Sequence, residues 1–252
     1  MVAIKAMQAL TLLGSNAALR ALDDESLVLK NPWVQQEMRA LVAGTAAARN
    51  VIIETLTPTL GLDAHSELAV SYGGKTGRRF LLKLGVGGRV TLTGSNGATL
   101  TSLPAARVAD DPAQVVEAQK ITRALRAEAP TLYARQGQRL AEALIYQRTW
   151  PVEQWRDLFL RHPVLRLLAS GLLWSVAHPD RKGYTLLFRP LEDGTLTGAD
   201  DEPIDLPAYG AITLAHPALL TEATRAHWRQ HLADYDIHPP FAQLDRPFHT
   251  LA

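Results

Sequence analysis

Apolar positions in the first sixty residues recur at intervals of three and four, as they do on one face of a helix. They are Val34, Met38, Leu41 and Val42, followed by Val51, Ile52, Leu56 and Leu60. Asn31 can cap a helix that has Pro32 at its first position, while Ser15 or Asn16 can cap a shorter helix through Leu22. The pattern therefore predicts a helical segment over residues 1–60.

Between residues 67 and 102 the period changes to two, which is the pattern of strands with one buried face. The apolar positions are Leu68, Val70 and Tyr72, then Phe80, Leu82 and Leu84, then Val90 and Leu92, and finally Leu100. The stretches between them are Gly73-Gly74, Gly85 to Gly88 and Ser95-Asn96-Gly97. Since Gly and Asn tolerate the positive φ of tight hairpins, we predict a four-strand antiparallel β-meander.

A long helix is predicted after this sheet. Asp111 precedes Pro112, which gives an acidic N-cap with proline at the first helical position. Apolar residues keep helical spacing from Val115 to about Gln147. Pro130 lies inside this stretch and has no N–H to donate, so we expect either one bent helix or two.

An aromatic segment follows. Trp150-Pro151 is predicted to begin a helix that places Trp155 and Phe159 on one face. His162-Pro163 is predicted to end that helix and to start a second one that runs to Trp174. We interpret the large aromatic residues as core, with a docking surface for a partner as the alternative.

The remaining chain predicts a second small β element and a last helix. A strand over Tyr184 to Pro190 and a turn at Glu192-Asp193-Gly194 begin a meander that ends near Ile212-Thr213-Leu214. The last helix extends from Thr221 to about Asp234. The predicted fold class is therefore α+β, with a helical N-terminal segment, an antiparallel β-meander, a long bent helix, an aromatic helical pair and the second β element.

The last quarter of the chain carries a family resemblance. Its residues are Ala215-His216-Pro217, Trp228, Asp234-Tyr235-Asp236-Ile237 and Pro240-Phe241-x-Gln243-Leu244-x-Arg246-Pro247. With Trp150, Trp155, Trp174 and Phe188-Arg189 upstream, this pattern resembles the MolR-like C-terminal domain of unknown function found in bacterial WGR-domain proteins. The resemblance covers about residues 65 to 250. Pro239 is a departure, because the family pattern has glutamine there.

The resemblance also implies a domain organisation. Residues 61–252 are expected to form the MolR-like α+β domain, and residues 1–60 the trailing end of a helical-repeat array. It implies that the chain is the C-terminal domain of a larger bacterial protein. The corresponding function is a non-catalytic interaction or regulatory module, whose partner is a protein or another domain of the same protein.

Composition narrows the cellular context. The 252 residues contain no cysteine, which excludes disulfides, thiolate metal sites and cysteine nucleophiles, and which fits a reducing compartment. Met1 to Leu13 is not followed by a small-residue cleavage pattern, and no run of about 18 apolar residues occurs. We therefore expect a cytoplasmic protein with no membrane partner.

Charge raises the question of nucleic-acid binding. Residues 61–175 have an excess of Lys and Arg, whereas residues 176–252 have an excess of Asp and Glu. The clustered cations are Lys75, Arg78, Arg79, Lys83 and Arg89. Such a cluster can bind phosphates by counterion release, but it can also form the solvent face of a sheet or pair with acidic groups of the same fold. We favour the second reading.

Two motifs suggest ligands that their context does not support. Gly74-Lys75-Thr76 with Ala69 fits a loose phosphate-binding loop, but the following residues continue as a strand, so we predict a hairpin turn. The acidic group Glu192, Asp193, Asp200, Asp201, Glu202 and Asp205 lacks the spacing of an EF-hand, and turn residues explain it. No cofactor and no metal are expected.

Histidines offer the best candidates for chemistry. Four of the eight, His162, His178, His216 and His238, precede proline and so lie at element boundaries. His216 is the candidate general base, with Asp234 or Asp236 to orient it. The alternative function is a hydrolase-like or nucleotide-handling enzyme in which His216, Arg189, Asp234 and Arg246 meet in one pocket. The same residues scattered or held in structural hydrogen bonds favour the interaction module.

Overall fold

A computed structural model describes residues 15–177 and 185–247 of the chain. The sequence features at Met1 to Leu13, at His178 and at Tyr184 lie outside these residues. The chain divides into two units, Met1–Pro58 and Thr59–Ala252. The interpretation of the first unit as the end of a repeat array stays a prediction.

The first unit contains two capped helices, α1 (Asn16–Val28) and α2 (Pro32–Ala48). The Asn31 side chain accepts hydrogen bonds from the amides of Trp33 and Val34 at 3.1 and 3.2 Å, as its place before proline predicts. Helix α1 continues to Val28 instead of ending at Leu22. Apolar side chains from both helices and from the 3-10 turn Ile53–Leu56 form a buried core, which consists of Leu19, Leu22, Met38, Val42, Ala46 and Ile53.

The predicted four-strand meander is confirmed in the second unit. Its strands are β1 (Glu67–Gly73), β2 (Arg78–Leu84), β3 (Val90–Gly94) and β4 (Thr99–Leu100), in the order β1-β2-β3-β4 and all antiparallel. One face carries the buried residues Val70, Tyr72, Phe80, Leu82, Leu84 and Leu92. The apolar residues that alternate in the sequence thus share the core face of the sheet, and the residues between them lie on its opposite face.

Helix α3 (Pro112–Ile145) packs on that face and runs through Pro130 without a break. Of the two predicted outcomes, division into two helices is wrong. Leu125 and Ala129 are buried against the sheet, and this packing holds the helix together across the proline. The backbone at Gly88 lies close to the backbone of α3 at Pro130, because a Cβ on Gly88 would be only 2.5 Å from the Pro130 Cα.

The sequence Gly74-Lys75-Thr76 lies in the turn between β1 and β2, as predicted. The backbone amide of Lys75 donates to the carbonyl of Ala109 at 2.9 Å. Asp110 accepts hydrogen bonds from the Thr76 hydroxyl, from the Arg78 guanidinium and from the amide of Arg107. The bond from Arg78 is the main reason that the pKa of Asp110 lies far below its usual value. The turn therefore holds the segment that precedes α3.

These contacts also bear on the cluster of cations. Arg78 pairs with Asp110, and Lys83 pairs with Glu67 at 3.5 Å. Two of the five clustered cations are thus paired within the first sheet and its neighbouring loop, rather than with the acidic segment that follows residue 176. Binding of nucleic acid to this face remains the disfavoured alternative of the sequence analysis.

The aromatic segment differs from its prediction at both ends. Trp150 belongs to a strand, β5 (Thr149–Pro151), and Trp174 begins another, β6 (Trp174–Ala177). Between them lie α4 (Val152–Arg156), a π-helical turn (Asp157–Arg161) and α5 (Leu165–Ala169). Trp150 is extended because it precedes proline, and it pairs with Ile212. The predicted helical pair is therefore confirmed in its middle, as α4 and α5, and is wrong at its two ends.

The large aromatic residues form the core of this region, which confirms that interpretation over a docking surface. They are Trp150, Trp155, Phe159, Trp174 and Phe188, and each is at most 1% exposed. The ring centroids of Trp155 lie 5.3 Å from those of both Trp174 and Phe188, in edge-to-face geometry. This geometry is the favoured one for neighbouring aromatic rings.

The second sheet is not the predicted meander. It contains β5, β6, β7 (Thr185–Pro190), β8 (Leu196–Thr197) and β9 (Ala211–Leu214), in the order β5-β9-β6-β7-β8. Strand β9 thus returns to lie between β5 and β6. The last helix, α6 (Glu222–Asp234), begins after its predicted cap Thr221. No helix among the described residues has the length and apolar character that a membrane crossing requires.

Candidate functional site

The second sheet has two faces of different character. One face carries the aromatic core, which includes Trp174, Phe188, Ile212 and Leu214. The alternate positions of β6, β7 and β9 carry small or uncharged side chains and form the floor of a groove. These floor residues are Ser175, Ala177, Thr185, Leu187, Ala211 and Thr213, and Ala215, which directly follows β9, continues the floor.

The walls of this groove come from the segments that flank the sheet. Gln147 lies on one wall, and His216, Leu219, Leu220, Thr221 and Thr224 complete the lining. The cavity volume is about 690 Å³, which is within the range of ~300–1,000 Å³ typical of ligand pockets. None of the described lining residues is Asp, Glu, Lys or Arg. An antiparallel sheet face turned to water is usually polar. This floor is uncharged, and its residues Leu187 and Ala215 also pack in an apolar cluster with Trp228 and Leu232 of α6.

His216 is the sequence candidate that the groove contains. Its Nδ1 accepts a hydrogen bond from the amide of Ala218 at 3.1 Å and so caps the 3-10 turn Pro217–Leu219. Burial, and then the charge of Arg246, lower the pKa of His216 below its ordinary value. The neutral ring therefore carries its proton on Nε2. The Nδ1 lone pair of His216 is thus engaged in a structural cap, and a role as general base stays a prediction.

The other candidates do not assemble around His216. Asp234 accepts a hydrogen bond from Gln230 at 2.6 Å, and Asp236 lies 3.8 Å from His238. Neither carboxylate is among the described lining residues. Arg246 acts on the charge of His216, whereas Arg189 is buried elsewhere. Of the four predicted residues, His216 is the one that the described groove lining contains.

Arg189 belongs to a buried pair that the sequence analysis missed. Its Nη1 donates to the carbonyls of Ser170 and Pro190 at 3.1 and 3.2 Å, and its Nε donates to Nε2 of His231 at 3.4 Å. The other ring nitrogen of His231 lies 3.1 Å from the carbonyl of Ala199. The available signal was the spacing of Trp228 and His231 on α6 and of Tyr235 at its C-cap, since these residues lie three and four apart.

The acidic residues that suggested calcium have separate roles. Asp193 accepts hydrogen bonds from the amide and hydroxyl of Thr195, and Asp201 accepts one from the Tyr235 hydroxyl at 2.8 Å. Within residues 15–177 and 185–247, no three His or acidic side chains converge as ligands of one ion would. These carboxylates are explained by the turns and contacts that they stabilise.

His231 predicts how stability depends on pH. Burial, and then the charge of Arg189, lower the pKa of His231 from the ordinary 6.5. The unfolded chain therefore binds more protons below about pH 6.5, and the free energy of unfolding must fall as the pH falls through that value. We expect chemical denaturation at pH 7.5 and 5.5 to show this loss. His231→Asn should reduce the pH dependence, and His227→Asn, at an exposed position of the same helix, is the control. An equal slope in the wild type and His231→Asn would contradict the assignment.

Comparison with known proteins defines a family and leaves its function open. The chain belongs to the family of the domain of unknown function DUF4132, whose family model matches residues 97–252. It is similar to the uncharacterized protein YehI of Escherichia coli (strain K12), with 31% identity over 250 residues. That match covers 97% of this chain and 20% of the relative, so the chain spans about a fifth of that protein. No solved structure matches the chain significantly.

Proposed function

We propose that the second unit is a non-catalytic interaction module of a larger bacterial protein in the cytoplasm. Its groove receives a segment of a protein partner or of another domain of the same polypeptide. The observation that carries this proposal is the groove floor, where small uncharged side chains replace the long polar ones of a solvated sheet. The resemblance to MolR-like domains adds a regulatory role, in which the docked segment controls the larger protein.

The rim of the groove supports docking. Leu219 lines one wall and is 75% exposed. Burying a leucine side chain of this kind contributes about 1.5–3 kcal/mol. A docked segment therefore has apolar contacts to gain at Leu219, beside the hydroxyl and amide groups of the lining.

The hydrogen bonds in the groove favour binding over hydrolysis. A hydrolytic role requires a base with a free lone pair, and Nδ1 of His216 already accepts from Ala218. The Thr213 hydroxyl donates to the carbonyl of Arg148 at 2.8 Å, and the Thr221 hydroxyl caps α6. These groups hold the local backbone, so they support a scaffold for recognition rather than an activated nucleophile.

Affinity capture with two matched variants tests the proposal. Leu219→Glu and Val116→Glu each place a carboxylate at an exposed apolar position, and Val116 lies on α3, outside the described groove lining. We expect the wild type and Val116→Glu to retain the same partner, while Leu219→Glu weakens retention by at least about tenfold. Circular dichroism must show that all three are folded. Full retention by Leu219→Glu, or no specific partner for the wild type, would contradict the proposal.

A further inference from the structure

We infer that Gln243 is a positioning residue of the groove, and that residues 237–246 form a strap whose seating sets how tightly the groove binds. The inference rests on the proposed function, because it concerns the regulation of the same groove. It stands on the hydrogen bonds and the packing by which this strap is attached to the elements that build the groove.

The side chain of Gln243 bridges two strands that form the groove floor. Its Oε1 accepts from the amide of Leu173 at 2.9 Å, and its Nε2 donates to the carbonyls of Leu173 and Ala215 at 2.7 and 3.1 Å. Leu173 directly precedes β6, while Ala215 directly follows β9 and belongs to the floor. The amide of Ala215 also donates to the carbonyl of Leu173 at 3.0 Å. Gln243 therefore fastens the β6–β9 pairing at the point where it ends.

The first part of the strap packs closely on the body of the unit. Pro240 lies against Gly171, which follows α5, and against Gly137 of α3. A Cβ on Gly171 would lie 3.3 Å from the Cδ of Pro240, and a Cβ on Gly137 would lie 3.7 Å from its Cβ. Because Pro239 and Pro240 each restrict the backbone φ, this stretch is stiff and holds Gln243 at a fixed distance from both elements.

The second part of the strap is held by α6. The Nε of Arg229 donates to Asp245 at 2.7 Å, and its Nη2 donates to the carbonyl of Leu244 at 3.3 Å. Leu244 is buried in one apolar cluster with Leu232 and the floor residue Ala215. The strap and the groove thus share contacts, so that a shift of the strap must be felt at the floor.

Loss of the Gln243 amide would leave two buried backbone groups without a partner. Within the described residues, the amide of Leu173 and the carbonyl of Ala215 have Gln243 as their hydrogen-bond partner. Unpaired buried groups of this kind are unfavourable, so the two strand ends should separate to reach water. Ala215 would then leave its place in the floor, and a docked segment would lose part of the surface that it contacts.

Peptides selected by the wild type from an array of ten-residue sequences provide the probe. Gln243→Met keeps an unbranched side chain but removes its hydrogen bonds, and we expect it to bind the selected peptides at least about tenfold more weakly. Leu92→Ala is the control for lost stability alone, because Leu92 is fully buried in the first sheet. It should bind as the wild type does. Leu219→Glu, which blocks the groove, should not bind.

A second variant tests the strap at its other end. Arg229→Gln removes the contacts with Asp245 and Leu244 at a position where the side chain is 38% exposed. We expect it to weaken peptide binding by about threefold. Circular dichroism identifies the folded variants, and Arg229→Gln decides the outcome if Gln243→Met does not fold.

The results separate the inference from the proposed function. Weaker binding by the strap variants, with binding by Leu92→Ala unchanged, supports the inference. Strap variants that bind as the wild type does, or no more weakly than Leu92→Ala, would overturn it, while loss of binding in Leu219→Glu would leave the docking groove standing. Failure of the array to yield any peptide, or peptides that Leu219→Glu still binds, would overturn the inference together with the proposed function.

Discussion

Trp155→Ala is expected to lower the free energy of unfolding by about 3–5 kcal/mol. Trp155 is fully buried, and its ring packs against Phe159, Trp174 and Phe188. Trp174 and Phe188 belong to β6 and β7, whose opposite face is the groove floor. The cavity left by alanine would therefore loosen the support of the candidate site as well as the core.

Trp155→Phe separates the two contributions of this side chain. The Trp155 Nε1 is buried and makes no hydrogen bond within the described residues, so phenylalanine removes an unsatisfied donor and keeps an aromatic ring. We expect it to be much less destabilising than alanine. Trp33→Ala is the control, because Trp33 is 59% exposed and its loss should change stability by about 0.5 kcal/mol or less. Urea denaturation measures the free energy of unfolding of all three variants. A loss below about 1 kcal/mol for Trp155→Ala would contradict the aromatic core.

Gly74→Ala is expected to be more destabilising than Gly77→Ala, although both glycines belong to one turn. Both have positive φ, +63° and +56°, so alanine brings a similar backbone strain of about 1–2 kcal/mol at each. A Cβ on Gly74 would lie 2.3 Å from the carbonyl oxygen of Ala109, whereas a Cβ on Gly77 meets nothing within 4 Å. The clash with backbone should add about 1–3 kcal/mol at Gly74.

This comparison decides what the glycine contributes to the Gly74-Lys75-Thr76 turn. If Gly74 permits the close approach of residues 109 and 110, its substitution loosens the start of α3 even without any ligand. Thermal and urea unfolding of both variants supply the measurement. Equal losses of stability for the two substitutions would show that backbone strain alone explains the glycines.

The parts of the fold that follow from local sequence were predicted well. The first meander, the cap and first proline of α3, and the last helix are all encoded by neighbouring residues, through alternation, turns and caps. Trp150 and Trp174 were placed in helices because their strands are too short to show a period. Their extended form depends on pairing with β9, which is about forty or more residues away in sequence, and no local pattern specifies such pairing.

In the candidate site, too, features set by neighbouring residues could be predicted and features set by distant strand pairing could not. His216 was found because an imidazole before proline lies at an element boundary. Sequence could not show that its Nδ1 would accept the amide of Ala218 and so cap the next turn. Small residues at alternate positions of β6 and β9 were visible singly. Only the order of the strands places Ser175, Thr213 and Ala215 on one floor.

Hydroxyl-radical footprinting of the captured complex is the most direct test of docking in the groove. Leu219 is 75% exposed and Val116 is 64% exposed, so both should react readily in the free chain. We expect the partner to protect Leu219 strongly and to leave Val116 unchanged. Protection of Val116 with Leu219 still reactive would show that the partner binds another surface, and it would contradict the groove as the functional site of this domain.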